Sequence, residues 1–150
     1  MKIAVLGPGA WGTALAISLA QRHAVALWTR DAGQRVAMRA ARRNEKYLPG
    51  HDFPTHLEVC EEMAVALRGA DLALIGVSTS GLRATVRAIN EARVDTPHVW
   101  LCKGFEPERA SLPHEVVAEE LTRSVPGGVL SGPSFAQEVA RGLPTNLVGG

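Results

Sequence analysis

The sequence has few of the features that mark disulfide-stabilised, membrane-spanning or metal-binding proteins. Its two cysteines, Cys60 and Cys102, form no Cys-x-x-Cys pair, so we expect buried thiols in a reducing, cytoplasmic compartment. No apolar run is as long as a membrane span, and the first residues resemble a strand, so we expect no membrane insertion and no signal peptide. The 5 histidines are scattered without the spacing of metal ligands, so we predict no metal site.

An excess of charge of one sign is also missing. The chain has 16 Lys and Arg against 15 Asp and Glu, a net charge of +1, which gives no reason to expect a nucleic-acid partner. The basic cluster of Arg39, Arg42, Arg43 and Lys46 is most simply interpreted as a solvent-exposed helix face. With 150 residues, 46% of them hydrophobic, the chain is expected to form one globular domain with a substantial core.

The most informative feature that is present is a glycine motif near the first residue. The apolar residues 3–6 run directly into Gly7, Gly9 and Gly12, and the helix-forming residues 14–20 follow. Gly7 allows a tight turn, Gly9 lets a pyrophosphate approach the backbone, and Gly12 lets the helix pack closely on the strand. This arrangement predicts a dinucleotide site at a helix N-terminus, although a strand-turn-helix with glycines for packing alone fits the same residues.

Strands and helices alternate along the rest of the chain. Further strands are predicted at residues 25–28, 57–60, 72–77, 99–102 and 147–148. Helices are predicted from an Asp31 cap to about residue 43, over 61–68 before Gly69, over 82–92, from Ser111 to a stop at 126–128, and over 135–140. Residues 47–54 are expected to form a loop. This order predicts an α/β fold with a Rossmann-type, doubly wound, mainly parallel sheet.

Three polar features follow predicted strands and so are expected at the ligand-binding edge of that sheet. Arg30 is placed to pair with a 2′-phosphate and favours NADP, or is an ordinary surface arginine. Asp31 is placed to bind a ribose of NAD or to cap its helix. Lys103 is able to hold a phosphate or polarise a carbonyl, or is an ordinary lysine at a strand end. The turn at residues 131–134 suits an anion or a hydroxylated substrate, or simply caps a helix.

Five segments carry a resemblance to a known family. They are Gly7-Pro-Gly-Ala-Trp-Gly-Thr-Ala-Leu15, Leu27-Trp-Thr-Arg-Asp31, Asn44-Glu-Lys-Tyr-Leu-Pro49, Lys103-Gly-Phe-Glu106 and Ser131-Gly-Pro-Ser-Phe-Ala-Gln-Glu138. In order and spacing the chain resembles the bacterial NAD(P)-dependent glycerol-3-phosphate dehydrogenases. The resemblance covers essentially the whole chain, and the last two motifs are its most specific part.

The resemblance implies roles for individual residues. Ala10, Trp11 and Arg30 are expected to contact NAD or NADP, and Lys103 to touch both cofactor and substrate. The glycerol phosphate is expected at Gly132 and Ser134, and the nicotinamide at Ala136.

The implied reaction is the reduction of dihydroxyacetone phosphate to sn-glycerol 3-phosphate for glycerophospholipid synthesis, by an enzyme that is a homodimer at full length. In this family the catalytic lysine belongs to a C-terminal helical domain, so we expect that lysine beyond Gly150 and no catalytic residue within residues 1–150. These residues are interpreted as the dinucleotide-binding domain, possibly incomplete at its C-terminal end. Two other interpretations fit the sequence: another dehydrogenase of this fold, acting on a hydroxy acid or ketopantoate, and a non-catalytic NAD(P)-binding module or redox sensor.

Overall fold

The computed structural model describes residues 1–131, 135–142 and 148–149. Its strands are Lys2–Leu6 (β1), Ala24–Trp28 (β2), Arg43–Asn44 (β3), Leu48–Asp52 (β4), Leu57–Val59 (β5), Leu72–Ile75 (β6), His98–Trp100 (β7), Gly127–Ser131 (β8) and Val148–Gly149 (β9). Its helices are Ala10–Leu19 (α1), Ala32–Ala41 (α2), Met63–Leu67 (α3), Thr79–Glu91 (α4), Pro113–Glu120 (α5) and Ala136–Ala140 (α6).

The main sheet has the strand order β5-β2-β1-β6-β7-β8-β9. Neighbouring strands from β5 to β8 pair in parallel, and β8 pairs with β9 antiparallel. The chain builds outward from β1 to β5, then returns to place β6 on the other side of β1. This reversal makes the gap between the carboxyl ends of β1 and β6 the topological switch point, where ligands bind in such sheets. The predicted α/β, doubly wound, mainly parallel fold is confirmed.

Each face of the sheet is covered by its own hydrophobic core. In β1, Ile3 and Val5 pack under α1, α2 and α6, whereas Ala4 and Leu6 face α3, α4 and α5. The alternation follows from the pleat of a strand, and it explains why the strands are apolar on both faces. None of the helices in the described part of the chain is both long and apolar enough to cross a bilayer.

The loop predicted at residues 47–54 is wrong. Residues 48–52 are strand β4, which pairs antiparallel with β3 in a small separate sheet. The hairpin packs against the rest of the domain because Leu48 and Phe53 are buried in the hydrophobic core on the α1 side of the sheet. An ion pair between Arg43 and Asp52 joins its two strands. Proline is tolerated in β4 because a two-stranded sheet leaves an edge that needs no donor.

Several helix ends also differ from the predictions. α1 begins at Ala10, earlier than expected, and α2 ends at Ala41 because Arg42 adopts a left-handed φ of 54°. The Asp31 cap is confirmed, since its carboxylate accepts a hydrogen bond from the Gln34 N–H. Gly69, with a φ of 69°, follows α3 as predicted.

The predicted helix from residue 111 to a glycine stop at 126–128 is partly wrong. α5 starts at Pro113, where the Glu115 carboxylate accepts the Leu112 N–H at 2.6 Å, and it ends at Glu120. Gly127 instead starts β8. A Cβ at Gly127 would lie 2.5 Å from Nε2 of the buried His98 ring, so the pairing of β7 with β8 requires glycine there.

Candidate functional site

Three glycines meet at the switch point between β1 and β6. Gly7 has a φ of +106°, and a Cβ there would lie 2.8 Å from the carbonyl carbon of Gly76. A Cβ on Gly12 would collide with the Gly7 carbonyl oxygen, and one on Gly76 would lie 2.8 Å from that same oxygen. The turn and packing roles predicted for Gly7 and Gly12 are confirmed. Gly76 was missed, although a glycine at the end of an apolar run just before the sheet edge was a visible signal.

The N-terminus of α1 follows the Gly7 turn directly at this switch point. Gly9 is the N-cap, no side chain caps the helix, and its first turn holds no acidic residue. A Cβ at Gly9 would have only the Gly76 carbonyl oxygen within 4 Å, at 3.7 Å, so the space in front of the backbone is open. A helix N-terminus without a side-chain cap or an acidic first turn is the kind of terminus at which anions bind, through N–H donors and the positive end of the helix dipole.

A cleft of about 440 Å³ lies over this turn. Its walls come from the glycine turn, the end of β2, the β3–β4 turn and the β6–α4 turn, including Gly7, Gly9, Arg30, Asp31, Lys46 and Tyr47. Its volume is within the range of sites that bind small molecules and cofactors. Arg30 and Asp31 both lie at its rim and are exposed, as their position after β2 predicted.

The wall formed by the β3–β4 turn is anchored to the glycine turn by Asn44. This side chain is only 1% exposed, and its Nδ2 donates to the Pro8 carbonyl oxygen at 2.8 Å and to Oγ1 of Thr13 at 2.7 Å. Its Oδ1 accepts the Tyr47 N–H at 3.2 Å. One buried amide thereby fixes the β3–β4 turn relative to the first turn of α1. No role was assigned to Asn44 from the sequence, where a polar residue between Arg43 and Glu45 gives no sign of burial.

The basic cluster does not form the predicted helix face, because only Arg39 lies in α2 and Arg43 pairs with Asp52 within the hairpin. Arg39 and Arg42 donate to backbone carbonyls of the β5 region, Val59 and Leu57 respectively, and so brace the chain. Lys46 is different: it lies in the β3–β4 turn, lines the cleft, and has its Nζ 5.1 Å from the centroid of the Tyr47 ring.

A second cleft, of about 190 Å³, lies beside the first on the β7–β8 side. It is lined by Trp11, Leu101, Lys103, Leu130 and Ser131. The sequence placed Trp11 and Lys103 in different motifs, and the sheet brings them together because β1 and β7 both flank β6. Lys103 is exposed, and its ammonium group makes no hydrogen bond or ion pair within the described residues.

The loop that carries Lys103 is fastened to α4 at two points. The Thr79 hydroxyl donates to the Lys103 carbonyl oxygen at 2.7 Å. Three residues further on, the buried carboxylate of Glu106 receives two hydrogen bonds from Arg83, each 2.8 Å long. A bidentate pair fixes orientation as well as distance. The loop is therefore fixed to α4 at Lys103 and at Glu106, while the Lys103 side chain remains exposed.

This anchor is part of a larger charge network. Arg83 also contacts Glu119 and Glu120, each at 2.7 Å, and Arg87 binds Glu120 as well. The hydrogen bonds from Arg87 and Arg83 lower the pKa of Glu120 to about 2. Arg83 likewise lowers the pKa of Glu106, so both carboxylates are ionised at neutral pH.

The remaining predicted residues are placed as follows. Ala10 begins α1, and Ala136 begins α6, which packs against α1. Gly132 and Ser134, predicted to bind the glycerol phosphate, lie outside the described residues. Gly150, beyond which the catalytic lysine is expected, also lies outside them, so the position of that lysine stays a prediction.

Both cysteines were predicted to be buried thiols, and no metal site was predicted. Cys60 is buried as predicted, whereas Cys102, just beyond the end of β7, is only half-buried; both are free thiols. Across the part of the chain that the structure describes, no three His, Cys, Asp or Glu side chains come together as a group able to hold a metal ion.

Comparison with known proteins decides the family. Residues 2–150 match the family described as NAD-dependent glycerol-3-phosphate dehydrogenase N-terminus. The chain belongs to this family. It is 53% identical over 145 residues to the glycerol-3-phosphate dehydrogenase [NAD(P)+] of Aromatoleum aromaticum, and 53% identical over 147 residues to that of Thiobacillus denitrificans. These alignments cover 97% and 98% of this chain but 44% and 45% of the relatives.

A solved structure from the same family has the same fold. The crystal structure of glycerol-3-phosphate dehydrogenase from Coxiella burnetii is 38% identical and superposes with a TM-score of 0.90. The superposition covers 97% of this chain and 45% of that one. The chain thus spans less than half the length of the dehydrogenases that it matches, and it corresponds to the part that the family description calls the N-terminus.

Proposed function

We propose that this chain is the dinucleotide-binding domain of an NAD(P)-dependent glycerol-3-phosphate dehydrogenase. The enzyme would use NAD(P)H and a proton to reduce dihydroxyacetone phosphate to sn-glycerol 3-phosphate. The observation that carries the proposal is the crossing of Gly7, Gly12 and Gly76 beneath a cleft at the switch point, with Lys103 in the adjoining cleft. Family membership supports this reaction over those of hydroxy-acid and ketopantoate dehydrogenases.

The residues present fit a dinucleotide. The backbone is open in front of Gly9, and the uncapped first turn of α1 supplies N–H donors to a pyrophosphate. The larger cleft would take the adenosine part against Arg30 at the end of β2. The smaller cleft, next to Trp11 and Lys103, would take the nicotinamide part, with Ala136 at the start of the neighbouring α6.

The cofactor supplies the hydride, and the residues of this chain position the groups that react. Lys103 would contribute a positive charge near the substrate phosphate and the carbonyl oxygen, where negative charge develops during reduction. Gly132 and Ser134 would bind the glycerol phosphate through backbone N–H and hydroxyl groups. The catalytic lysine would come from a separate helical domain beyond Gly150, so residues 1–150 alone are expected to bind cofactor weakly and to turn over little substrate.

The proposal includes the pathway, the compartment and the oligomeric state of the full-length enzyme. The product would serve glycerophospholipid synthesis, in the cytoplasm, and the full-length enzyme would be a homodimer. No nucleic-acid partner is proposed, because the net charge of +1 provides no electrostatic attraction to a polyanion.

Cofactor binding by residues 1–150 provides the first test. NADPH and NADH are titrated into the chain by isothermal calorimetry, beside a Gly12→Ala variant whose new Cβ would collide with the Gly7 carbonyl oxygen. We expect saturable binding by the wild type and none by the variant. Failure of the wild type to bind either cofactor at millimolar concentration would remove the basis of the proposal.

Activity provides the second test and separates the candidate reactions. A longer protein that contains this chain is assayed with dihydroxyacetone phosphate, ketopantoate and short 2-keto acids, as wild type and as Lys103→Ala. We expect turnover of dihydroxyacetone phosphate alone and a large loss of kcat/KM in the variant. A variant with unchanged kcat/KM refutes the role of Lys103, and selective turnover of ketopantoate refutes the proposed substrate.

A further inference from the structure

More positive than negative side chains line the larger cleft. Among its described lining residues, Arg30 and Lys46 are cationic and Asp31 is the one carboxylate. The two cations come from different elements, one following β2 and the other in the β3–β4 turn. They are 16 positions apart in sequence and line the same cleft because the hairpin folds back onto the glycine turn.

The carboxylate is already engaged in the fold. Asp31 Oδ1 accepts the Gln34 N–H at 3.1 Å, which caps α2. The Asp31 N–H in turn donates to the Thr29 hydroxyl at 3.3 Å, so this residue is tied to its own turn on both sides. A carboxylate used as a helix cap is not free to reorient towards a ribose 2′-hydroxyl without losing that cap.

The backbone on both sides of Lys46 is restrained through the buried side chain of Asn44. Asn44, two positions earlier, is anchored to Pro8 and Thr13, and the Tyr47 N–H donates back to Asn44. Lys46 therefore lies between Asn44 and Tyr47, both of which are restrained by these hydrogen bonds. Its ammonium group lies near the Tyr47 ring, which also lines the cleft, while the side chain stays exposed to solvent.

We propose that Lys46 is a specificity-determining residue that, together with Arg30, binds the 2′-phosphate of NADP and makes the chain prefer NADP over NAD. A dianionic phosphate beyond the end of β2 would have a cation on the β2 side and a second on the hairpin side. Two charge-assisted contacts of this kind attract a phosphate and gain nothing from a ribose hydroxyl. This inference rests on the proposed binding of a dinucleotide in the larger cleft.

The test compares the dissociation constants of NADP⁺ and NAD⁺ for residues 1–150, as wild type, Lys46→Met, Lys46→Arg and Arg30→Met. The matched control is Arg22→Met, which removes one positive charge from an exposed residue between α1 and β2, at the opposite edge of the sheet. Thermal denaturation of every variant checks that it is folded. Competition by adenosine 2′,5′-bisphosphate, with adenosine 5′-monophosphate as the comparison, isolates the contribution of the 2′-phosphate.

We expect the wild type to bind NADP⁺ more tightly than NAD⁺, and Lys46→Met to weaken NADP⁺ about tenfold while leaving NAD⁺ nearly unchanged. Lys46→Arg should retain the preference, Arg22→Met should not alter it, and adenosine 2′,5′-bisphosphate should lose affinity for Lys46→Met in parallel with NADP⁺. A purely structural role of Lys46 would weaken both cofactors equally, and that result overturns the inference, as does a wild type that prefers NAD⁺. A wild type that binds neither cofactor instead overturns the proposed function itself.

Discussion

Replacing Asn44 with alanine tests the contact that joins the β3–β4 turn to the glycine turn. The side chain is 1% exposed, so water does not replace its partners when it is removed. The variant leaves the Pro8 carbonyl oxygen and the Thr13 hydroxyl without the amide that they share, at 2.8 and 2.7 Å. The third contact, from the Tyr47 N–H, is longer at 3.2 Å and only partly buried, so it contributes less.

The expected loss of stability follows from these contacts. A buried polar group left without its partner costs about 1–3 kcal/mol, so two such groups predict a loss of about 3 kcal/mol for Asn44→Ala. A domain of this size is stable by about 10 kcal/mol, and the variant should therefore still fold. With a urea m-value of about 2 kcal/mol/M, the unfolding midpoint should fall by about 1.5 M.

Equilibrium urea unfolding followed by far-UV circular dichroism measures this loss. Asn90→Ala is the matched control, because the Asn90 Oδ1 also joins two elements, by accepting the Thr122 N–H and hydroxyl at 3.1 and 3.0 Å, but in a solvent-exposed position. We expect the control to lose less than about 1 kcal/mol and to bind cofactor normally, whereas Asn44→Ala binds it more weakly. A loss below about 0.5 kcal/mol for Asn44→Ala would refute the view that this amide is the anchor.

Three further predictions concern packing and charge. Gly12→Ala should lower the free energy of unfolding in urea by about 1–3 kcal/mol, because its Cβ would collide with the Gly7 carbonyl oxygen. Gly81→Ala should lower it less, because a Cβ there would meet only atoms at 3.5 Å or beyond. Equal losses would contradict the close approach of Gly12 to Gly7. Gly127→Ala should lower the thermal midpoint because its Cβ would lie 2.5 Å from Nε2 of His98, and a His98→Ala background should reduce that effect; a simply additive double variant would contradict it. Because the pKa of Glu120 is lowered to about 2, its ion pairs stabilise the fold above the unfolded-state pKa of about 4.3, and this contribution is lost as the pH falls towards 2. The stability difference between wild type and Glu120→Gln should therefore shrink over that pH range, and a constant difference would refute the assignment.

Much of the fold was predictable because its signals are local. The apolar runs of β1 and β6, the glycines between β1 and α1, and the Asp31 cap each depend on residues a few positions apart. The hairpin was missed for the opposite reason. Leu48 and Phe53 surround a proline and a glycine, which suggest a loop until the core that buries both side chains is in place.

In the candidate site too, the residues whose roles depend on local sequence were predictable and those that depend on distant partners were not. The residues of the glycine turn could be assigned from the sequence because backbone geometry at a turn limits the choice of residue. The roles of Gly76 and Asn44 were not predictable, because each depends on a partner on another element, more than 30 positions away in the case of Asn44. The double hydrogen bond from Arg83 to Glu106 likewise joins residues 23 positions apart.

The sequence by itself determined the type of fold, the first turn of the site and the edge of the sheet on which ligands are expected, since strand periodicity, glycine conformation and helix capping all act over a few residues. Only the tertiary structure decided which side chains share that edge. It placed Lys46 and Arg30 in one cleft and Trp11 and Lys103 in another, and it paired Glu106, in the loop that carries Lys103, with Arg83. The reason is that parallel strands bring together the ends of segments far apart in the chain, and the order of those strands is set by packing over both faces of the sheet.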